Sequence, residues 1–296
     1  MNTIKKKVLL LGAAGMLGSA VFNVLKDKYD LVLSFRNLDE SQLLNEKYGG
    51  VENCQVEVLD LEYMYQDYYE KKGNPGEYFT DFLKKVGEVD YVINAIGITI
   101  PYSLKNPALT FFINSAFPHI LASIFGERLI HITTDCVYNG KEGFPYDENS
   151  PHSPVDIYGI SKSLGNSENC LTLRTSIIGR ELQGFTGLLE WFLQQEKKTI
   201  KGFTQHFWNG ITTREFSQIC DKIMSNPERY PKKGIYHVFS NTLSKYEMLL
   251  KFREKYRVDV EIIPDGSTGL NRTLTTIYPL CSQLQIPSFD EMLKEL

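Results

Sequence analysis

Three side chains near the middle of the chain have the types and spacing needed for proton transfer to a ketone oxygen. Tyr158 and Lys162 lie four residues apart in DIYGISK, and Thr134 precedes the tyrosine by 24 residues in HITTDCVYNG. Residues four apart share one face of a helix, so the phenol and the ammonium can reach the same region. This spacing often arises by chance, so the surrounding sequence has to decide its meaning.

The chemistry explains why these three residue types belong together. Hydride delivery to a ketone produces an alkoxide, and that alkoxide must be protonated. Tyrosine, with an ordinary pKa of about 10, is a poor acid–base group near neutrality until a nearby cation stabilises its phenolate. Lys162 would supply that charge and bond a coenzyme ribose, while the Thr134 hydroxyl would polarise the carbonyl. The alternative is a threonine in a strand-end turn and a tyrosine in a helix cap.

Three glycines near the start of the chain predict a dinucleotide-binding turn. GAAGMLG places Gly12, Gly15 and Gly18 at three-residue intervals, directly after an apolar run and at the opening of a helical stretch. Glycines there permit a tight turn, close approach of the backbone to a pyrophosphate, and close packing of helix on strand. The helix N-terminus at Met16 and Leu17 would present unpaired N–H groups to the phosphates. A glycine-rich turn without a ligand is the alternative.

The residues after the second predicted strand bear on the choice of coenzyme. An NAD site usually has an acid about 20 residues beyond the glycine turn, whereas VLSFRN offers Ser34 and Arg36. A guanidinium suits a 2′-phosphate, so we expect NADPH and leave NADH open. A solvated surface arginine is the alternative interpretation of Arg36. Four positions near the ends of later strands are also expected to contact the coenzyme: Asp60, Leu61, Asn94 and Ala95.

Alternating apolar runs and helical stretches predict an α/β fold with parallel strands. The strand candidates are 7–12, 31–35, 56–61, 91–97, 128–134 and 170–178. After about residue 180, helical pieces at 186–197, 212–225 and 244–256 mix with short extended ones. We expect a Rossmann-type doubly wound parallel sheet over residues 1–180, with some later segments returning to it. A smaller C-terminal α+β substrate-binding lobe would cover residues 181–296.

Composition and charge are those of an ordinary globular chain. The 296 residues carry a net charge of −4, which gives no electrostatic reason to expect a nucleic-acid partner. Five scattered cysteines and five histidines lack metal-ligand spacing, which argues for free thiols in a reducing compartment and against a catalytic metal. The opening MNTIKKKVLLLGAAGMLGSA imitates a signal peptide, but regularly spaced glycines interrupt its apolar run. We expect a first core strand there, and a cytoplasmic protein without a membrane partner.

Together the motifs resemble the extended short-chain dehydrogenases/reductases, and within them the dTDP-4-dehydrorhamnose reductase type of sugar-nucleotide reductase. The resemblance rests on GAAGMLG, TTDCVYNG (133–140), PYDENSPHSPVDIYGISKSLG (145–165), LRTSIIG (173–179) and INSAFPHILA (113–122). It implies that Thr134, Tyr158 and Lys162 are catalytic, and that Asn114 helps organise a water-mediated proton path.

The resemblance also bears on the substrate side. In that family the C-terminal lobe holds the nucleotide sugar, which implies that Trp208 covers a sugar or base and that Arg272 clamps a diphosphate. Packing between the lobes is the alternative for Trp208. The family usually has an aromatic residue where this chain has Cys136, so one wall of the substrate pocket differs. The sugar is therefore not fixed by the resemblance.

The implied activity is NADPH-dependent reduction of the 4-keto group of a dTDP- or UDP-linked 4-keto-6-deoxyhexose, in deoxysugar or polysaccharide biosynthesis. An epimerase or dehydratase of the same superfamily is one alternative, although dehydratases generally have an acid where this chain has Cys136. A non-catalytic regulatory subunit, such as that of methionine adenosyltransferase, is another. The joint retention of Thr134, Tyr158 and Lys162 argues against it. The expected partner is a nucleotide-sugar substrate, and a homodimer is left open.

Overall fold

Seven parallel strands form the central sheet of this protein, whose computed structural model describes residues 5–70 and 76–296. The strands are β1 (Lys7–Leu11), β2 (Asp30–Phe35), β3 (Gln55–Val58), β4 (Tyr91–Asn94), β5 (Leu129–Thr133), β6 (Leu171–Arg174) and β11 (Gly234–His237). Their order across the sheet is β11-β6-β5-β4-β1-β2-β3, with every neighbouring pair parallel. The order reverses between β1 and β4, so the carboxyl ends of these two strands flank a crevice. The expected doubly wound fold is confirmed.

The sequence of β1 explains why it lies at the centre of the sheet. Val8 and Leu10 face one hydrophobic core, and Leu9 and Leu11 face the other. A strand buried on both faces must be apolar without alternation, and KVLLL meets this requirement. The N-terminal segment that imitates a signal peptide therefore contains a core strand. Residues 1–4 of the chain lie outside the described residues.

Helices cover both faces of the sheet. In the first half of the chain they are α1 (Met16–Leu25), α2 (Asp39–Tyr48), α3 (Leu61–Glu70), α4 (Glu77–Val86), α5 (Ile100–Ser103), α6 (Pro107–Phe111), α7 (Phe117–Phe125) and α8 (Ile157–Leu164). Short 3-10 turns occur at Val51–Asn53, Gly126–Arg128 and Asp135–Val137, and a π-helical turn at Phe112–Ala116 joins α6 to α7. Pro118 lies in the first turn of α7, directly after this π-helical turn.

The helical stretch Pro107–Arg128 is long and apolar enough to cross a membrane by length and composition alone. Half of its most apolar window is buried inside the fold. Phe117 and Leu121 within it are fully buried in the core that also contains Leu9 and Leu11 of β1. The apolar character of this stretch is thus used in packing against the sheet.

The second half of the chain adds three small sheets and five helices within the described residues. The strands are β7 (Ile177–Ile178), β8 (Thr199–Phe203), β9 (His206–Trp208), β10 (Ile211–Thr212), β12 (Leu243–Ser244), β13 (Glu261–Asp265) and β14 (Leu270–Asn271). They pair as β7 with β10, β8 with β13, and β9 between β12 and β14. The helices are α9 (Leu188–Leu193), α10 (Thr213–Ser225), α11 (Lys245–Tyr256), α12 (Leu280–Leu284) and α13 (Phe289–Lys294).

Two later elements belong to the large sheet layer. Strand β11 pairs with β6, and α10 packs against α1. The chain therefore crosses between its two parts more than once after residue 180. A boundary between domains at residues 180 and 181 stays a prediction.

Candidate active site

The glycine turn after β1 has the geometry that a pyrophosphate needs. Gly12 has a φ of +78°, which favours glycine, and a β-carbon on Gly18 would lie only 2.0 Å from the Gly12 carbonyl oxygen. The Gly12 N–H donates to Ser34 Oγ at 3.0 Å, which ties the turn to β2. Gly15 caps α1, and the first-turn N–H groups, at Met16 and Leu17, have no acceptor within the helix. A dinucleotide therefore fits this turn.

Arg36 is paired with an acid that the sequence interpretation did not include. Its Nε and Nη2 donate to Glu40 Oε1 at 2.8 and 2.5 Å, and its backbone N–H donates to Glu40 Oε2 at 3.1 Å. Gln183, from beyond β7, also donates to Oε1 at 3.0 Å. Glu40 is buried and the Arg36 side chain is mostly exposed. The end of β2 thus carries both charges, which bears directly on the choice between NADPH and NADH.

The four other expected coenzyme positions are held by the fold itself. Asp60 Oδ1 accepts two backbone N–H groups of the first turn of α3, at 2.9 and 3.3 Å, and Leu61 is buried. Asn94 is also buried; its Oδ1 accepts the N–H two residues on, and its Nδ2 contacts the ring of His131 at 3.2 Å. Ala95 is partly exposed at the end of β4. These contacts define the crevice walls, and a direct role in coenzyme binding stays a prediction.

The structure brings Tyr158 and Thr134 together because α8 packs tightly on the turn after β5. A β-carbon on Gly159 would lie 2.4 Å from the Cys136 carbonyl oxygen, so only glycine permits this approach. The Thr134 hydroxyl is close enough to Tyr158 to lower the pKa of the phenol. The same hydroxyl donates to Asp135 Oδ1 and accepts the Cys136 N–H, both at 3.1 Å. Its lone pairs and proton are thereby oriented before any substrate binds.

Lys162 points to the carboxyl end of β4. Its Nζ lies 2.8 Å from the point where a β-carbon on Gly97 would stand, and the residue is 6% exposed. Gly97 itself is exposed, so the ammonium reaches the open edge of the crevice through a gap that glycine leaves. This is the edge of the sheet at which the glycine turn also lies. The position suits a lysine that binds a coenzyme ribose.

Asn114 links the loop after β4 to α8. Its Oδ1 accepts the Ile98 N–H at 2.9 Å, and its Nδ2 donates to the Ile98 carbonyl at 2.9 Å and to Ser161 Oγ at 3.0 Å. Asn114 lies in the π-helical turn and is fully buried. It therefore fixes the loop after β4 against α8, and a part in a proton path stays a prediction.

Burial sets the protonation of Tyr158, Lys162 and Asp135. Removal from water raises the pKa of Tyr158 above its ordinary value, and the Thr134 hydroxyl opposes this rise. Removal from water also lowers the pKa of Lys162 to about 8. Asp135 has a raised pKa for the same reason, and the positive charges of Arg272 and Lys245 act in the opposite direction. Tyr158 is therefore protonated at neutral pH, and the Lys162 ammonium has a pKa only slightly above neutrality.

The expected substrate-side residues fall into two groups. Arg272 donates from Nε to the Tyr138 carbonyl at 2.9 Å and from Nη1 to Cys136 Sγ at 3.3 Å. It therefore lies beside the turn after β5, in contact with Cys136. Trp208 is 5% exposed, and its ring packs edge-on against Phe289 with 5.4 Å between centroids. This contact lies within residues 181–296, so neither packing between the lobes nor a ligand contact of Trp208 is tested, and both stay predictions.

A buried guanidinium supports α8 from the sheet. Arg174 Nη1 donates to the Tyr138 hydroxyl and to His237 Nε2, both at 2.8 Å, and its Nη2 donates to His152 Nε2 at 2.9 Å. His152 Nδ1 in turn contacts Ser163 Oγ, one residue beyond Lys162, at 2.6 Å. Burial and the Arg174 charge lower the pKa of both histidines to about 4. Both imidazoles thus stay neutral, and His152 connects Arg174 of β6 to Ser163 of α8.

Three residues with a place in this site were not identified from the sequence: Glu40, Gly159 and Lys245. Gly159 directly follows Tyr158, so its position beside a predicted site residue was the available signal. Glu40 stands four residues after Arg36, a spacing that predicts an ion pair once a helix is known to begin there. Nothing in the sequence near Lys245 connects it to Thr134.

Comparisons with known proteins support the resemblance to sugar-nucleotide reductases. The family profile described as RmlD substrate binding domain matches residues 77–285. Spore coat polysaccharide biosynthesis protein SpsK of Bacillus subtilis is 25% identical over 268 residues, which cover 87% of this chain and 82% of that protein. The dTDP-4-dehydrorhamnose reductase of Salmonella typhimurium is 24% identical over 209 residues, which cover 64% of this chain and 67% of that protein.

A solved structure agrees in fold. The dTDP-4-dehydrorhamnose reductase of Bacillus anthracis, in complex with NADP, superposes with a TM-score of 0.67 at 18% identity. The match covers 99% of this chain and 98% of the other. At this level of identity the superposition establishes a common architecture.

Proposed function

The chain belongs to the RmlD substrate binding domain family, and from this membership we propose that it reduces the 4-keto group of a dTDP- or UDP-linked 4-keto-6-deoxyhexose with NADPH. It is an oxidoreductase of the sugar-nucleotide reductase kind. One observation carries the finer proposal: the close packing of α8 at Gly159 on the turn after β5, which places Tyr158 beside Thr134. Lys162 reaches the adjacent end of β4 from the same helix.

Some residues of the chain would bind the coenzyme, and others would transfer the proton. The N–H groups of the glycine turn would hold the coenzyme pyrophosphate, and Lys162 would bind the nicotinamide ribose at Gly97. When bound, NADPH supplies the hydride. Thr134 would turn its one hydroxyl proton from Asp135 Oδ1 to the substrate carbonyl. Tyr158 would transfer its proton to the carbonyl oxygen as negative charge develops there.

The protonation states favour this direction of reaction. Because burial raises the pKa of Tyr158, the phenol holds its proton at neutral pH and acts as an acid. The nearby Lys162 charge stabilises the phenolate left after transfer. The nucleotide part of the substrate contributes no chemistry, but its binding holds C4 in place for the reaction.

The setting of the reaction is also part of the proposal. All five cysteines are free thiols, as expected for a protein that works in a reducing compartment such as the cytoplasm. We propose residues 1–180 as the coenzyme part and 181–296 as the substrate part, with β11 and α10 returning to the large sheet.

A panel of dTDP- and UDP-linked 4-keto-6-deoxy sugars tests the proposal. Oxidation of NADPH is followed optically, and the products are identified by mass spectrometry and NMR. We expect stoichiometric NADPH consumption with at least one sugar, and a 4-hydroxy product. Absence of oxidation with every sugar, together with tightly bound NAD⁺ in the purified protein, would instead identify an epimerase.

A further inference from the structure

The loop between β7 and α9, residues 179–187, reaches from the second half of the chain to the coenzyme end of the first. Gln183 Nε2 donates to Glu40 Oε1 at 3.0 Å, although 143 positions separate the two residues. At Gly187 a β-carbon would lie 3.9 Å from Met16 Sδ. Met16 begins α1, and Glu40 lies in the first turn of α2. The loop therefore lies along the edge of the sheet at which the dinucleotide is expected to bind.

The backbone of this loop is held in shape by bonds that do not involve Gln183. Glu181 Oε2 accepts the Thr186 N–H at 2.9 Å, and its Oε1 accepts the Gly187 N–H at 2.6 Å. The buried carboxylate of Glu190, on α9, accepts the Glu181 N–H at 3.0 Å. The Gln183 side chain is therefore presented to α2 by a backbone that other residues support.

The Glu40 carboxylate is a buried anion that Arg36 and Gln183 share. Its Oε1 accepts Arg36 Nε at 2.8 Å, Arg36 Nη2 at 2.5 Å and Gln183 Nε2 at 3.0 Å. Among the described residues its Oε2 accepts only the Arg36 backbone N–H, at 3.1 Å. The Glu40 side chain is 8% exposed, whereas that of Arg36 is 67% exposed. Because a buried carboxylate without partners is costly, each of these donors stabilises the fold.

A 2′-phosphate on the coenzyme would change what the Glu40 carboxylate needs. The exposed Arg36 guanidinium can turn towards that phosphate and bind it with two parallel N–H groups. Glu40 then keeps two hydrogen bonds, from the Arg36 backbone N–H and from the Gln183 amide. The Gln183 bond is therefore worth more in the NADPH complex than in the free protein. With NADH, which has no 2′-phosphate, Arg36 stays on Glu40 and the bond keeps its ordinary value.

The chemistry of a glutamine side chain suits this task. A carboxylate only accepts hydrogen bonds, so the amide NH₂ of Gln183 must be the group that faces Glu40. The amide is neutral, and it stabilises the carboxylate without cancelling its charge. Glu40 can therefore still draw Arg36 back when no 2′-phosphate is bound. A lysine in place of Gln183 would neutralise Glu40 permanently and attract the phosphate itself.

We propose that Gln183 is a coenzyme-selecting residue supplied by the second half of the chain. It keeps Glu40 hydrogen-bonded when Arg36 turns to a 2′-phosphate, and so it lowers the free-energy cost of binding NADPH but not that of binding NADH. The inference rests on the coenzyme part of the proposed function. It adds to that function a residue outside the glycine turn and the strand ends, where the coenzyme contacts are expected.

Equilibrium binding to the full chain tests this role without turnover. Dissociation constants for NADPH and NADH are measured by fluorescence titration in the wild type and in Gln183→Met, which keeps the side-chain length and removes both N–H donors. We expect the Kd for NADPH to rise about tenfold and the Kd for NADH to change by less than about twofold. Adenosine 2′,5′-bisphosphate and 5′-AMP, used as competitors, should show the same contrast, because they differ only in the 2′-phosphate.

A double-mutant cycle tests whether the effect acts through Glu40. In Glu40→Gln no buried carboxylate remains, so adding Gln183→Met should change the Kd for NADPH by less than about twofold. Gln194→Met is the matched control, because Gln194 is an exposed glutamine at the end of α9, and it should leave both dissociation constants unchanged. Melting temperatures should stay near that of the wild type, since Glu181 and Glu190 hold the loop.

The outcomes distinguish failure of this role from failure of the proposed reaction. Equal weakening of NADPH and NADH in Gln183→Met would overturn the selective role and would indicate a contact that both coenzymes share. An unchanged Kd for NADPH, in a protein that reduces a keto sugar with NADPH, would overturn the role of Gln183 alone. The expected contrast between coenzymes, in a protein that reduces no keto sugar, would overturn the proposed reaction and leave the role of Gln183 standing.

Discussion

The Nζ of Lys162 occupies the space that a β-carbon on Gly97 would need, at a distance of 2.8 Å. The atom in conflict is the far end of a flexible side chain, whereas the Gly97 backbone lies in the exposed loop after β4. A substitution at Gly97 can therefore be accommodated by moving the ammonium without disturbing the fold. The position of the Lys162 ammonium can therefore be changed with little effect on the stability of the protein.

We expect Gly97→Ala to lower kcat/KM for ketone reduction by about tenfold or more, because the ammonium is displaced from the ribose and phenol region. The melting temperature should change little. Gly269→Ala is the control, since the nearest atom to its new β-carbon is 3.9 Å away and the residue is exposed. Normal kcat/KM in Gly97→Ala would mean that the position of the Lys162 ammonium does not matter for the reaction.

Gly159→Ala should lower stability as well as activity, because its new β-carbon would clash with backbone atoms. Its β-carbon would lie 2.4 Å from the Cys136 carbonyl oxygen, so α8 must move away from the turn that carries Thr134. A shift of this size is expected to reduce kcat/KM by about a hundredfold and to destabilise the fold by about 1–3 kcal/mol. Steady-state kinetics and urea unfolding measure the two effects. Ile160→Ala, on the exposed side of the same helix, should alter neither.

Tyr158→Phe removes only the proton that the reaction uses. Turnover should fall by about a hundredfold to ten-thousandfold, the range for loss of a general acid. NADPH affinity, measured by fluorescence titration, should stay near that of the wild type because the glycine turn is untouched. Turnover close to normal would remove Tyr158 from the mechanism.

The Arg36–Glu40 pair predicts a modest preference between coenzymes. The carboxylate neutralises much of the arginine charge, so a 2′-phosphate gains less than it would from an unpaired guanidinium. We expect Glu40→Gln to raise the ratio of kcat/KM for NADPH to that for NADH by about tenfold, and Arg36→Ala to lower it. Asp81→Asn, which breaks an exposed pair with Lys84, is the control. If the ratio is unchanged in both variants, the 2′ group of the coenzyme ribose does not lie beside Arg36 and Glu40.

The sequence predicted the sheet because it depends on local pattern, whereas the catalytic roles of Thr134, Tyr158 and Lys162 stay predictions. Buried parallel strands must be apolar on both faces, and a glycine turn must follow the first of them. Tyr158 and Lys162 share a helix face by their spacing alone. Thr134 was grouped with them because the chemistry of ketone reduction requires all three residue types.

Other features depended on contacts between distant segments, which periodicity does not encode. Lys245 acts electrostatically on Asp135, which lies more than a hundred residues earlier in the chain, because the fold brings the start of α11 towards the turn after β5. The requirement for glycine at 159 appears only when the carbonyl of Cys136 is placed against it. Trp208 looked like a ligand contact because of its residue type, and its packing against Phe289 depends on a helix at the end of the chain.

The protonation of Lys162 predicts how the reaction responds to pH. Burial lowers its pKa to about 8, so the ammonium is lost as pH rises through that value. Tyr158 stays protonated across this range because burial raises its pKa. We therefore expect kcat for reduction to fall above about pH 8 with a slope of one proton. In Lys162→Arg this alkaline fall should disappear, since a guanidinium stays charged. The fall should persist in Lys245→Gln, although Lys245 also has a pKa of about 8.

The same lowered pKa has a consequence for stability, with a definite sign. Between about 8 and the ordinary value of 10.5 the unfolded chain binds more protons at Lys162 than the folded chain does. The free energy of unfolding contributed by this residue therefore rises with pH in that window, and at neutral pH the buried charge destabilises the fold by up to about 3 kcal/mol. Lys162→Met should accordingly raise the melting temperature at pH 7 while abolishing reduction. The gap between variant and wild type should narrow towards pH 10. A wild type that is more stable than Lys162→Met at pH 7 would show that the ammonium is satisfied within the folded protein, and the alkaline fall in kcat would then have to come from another group.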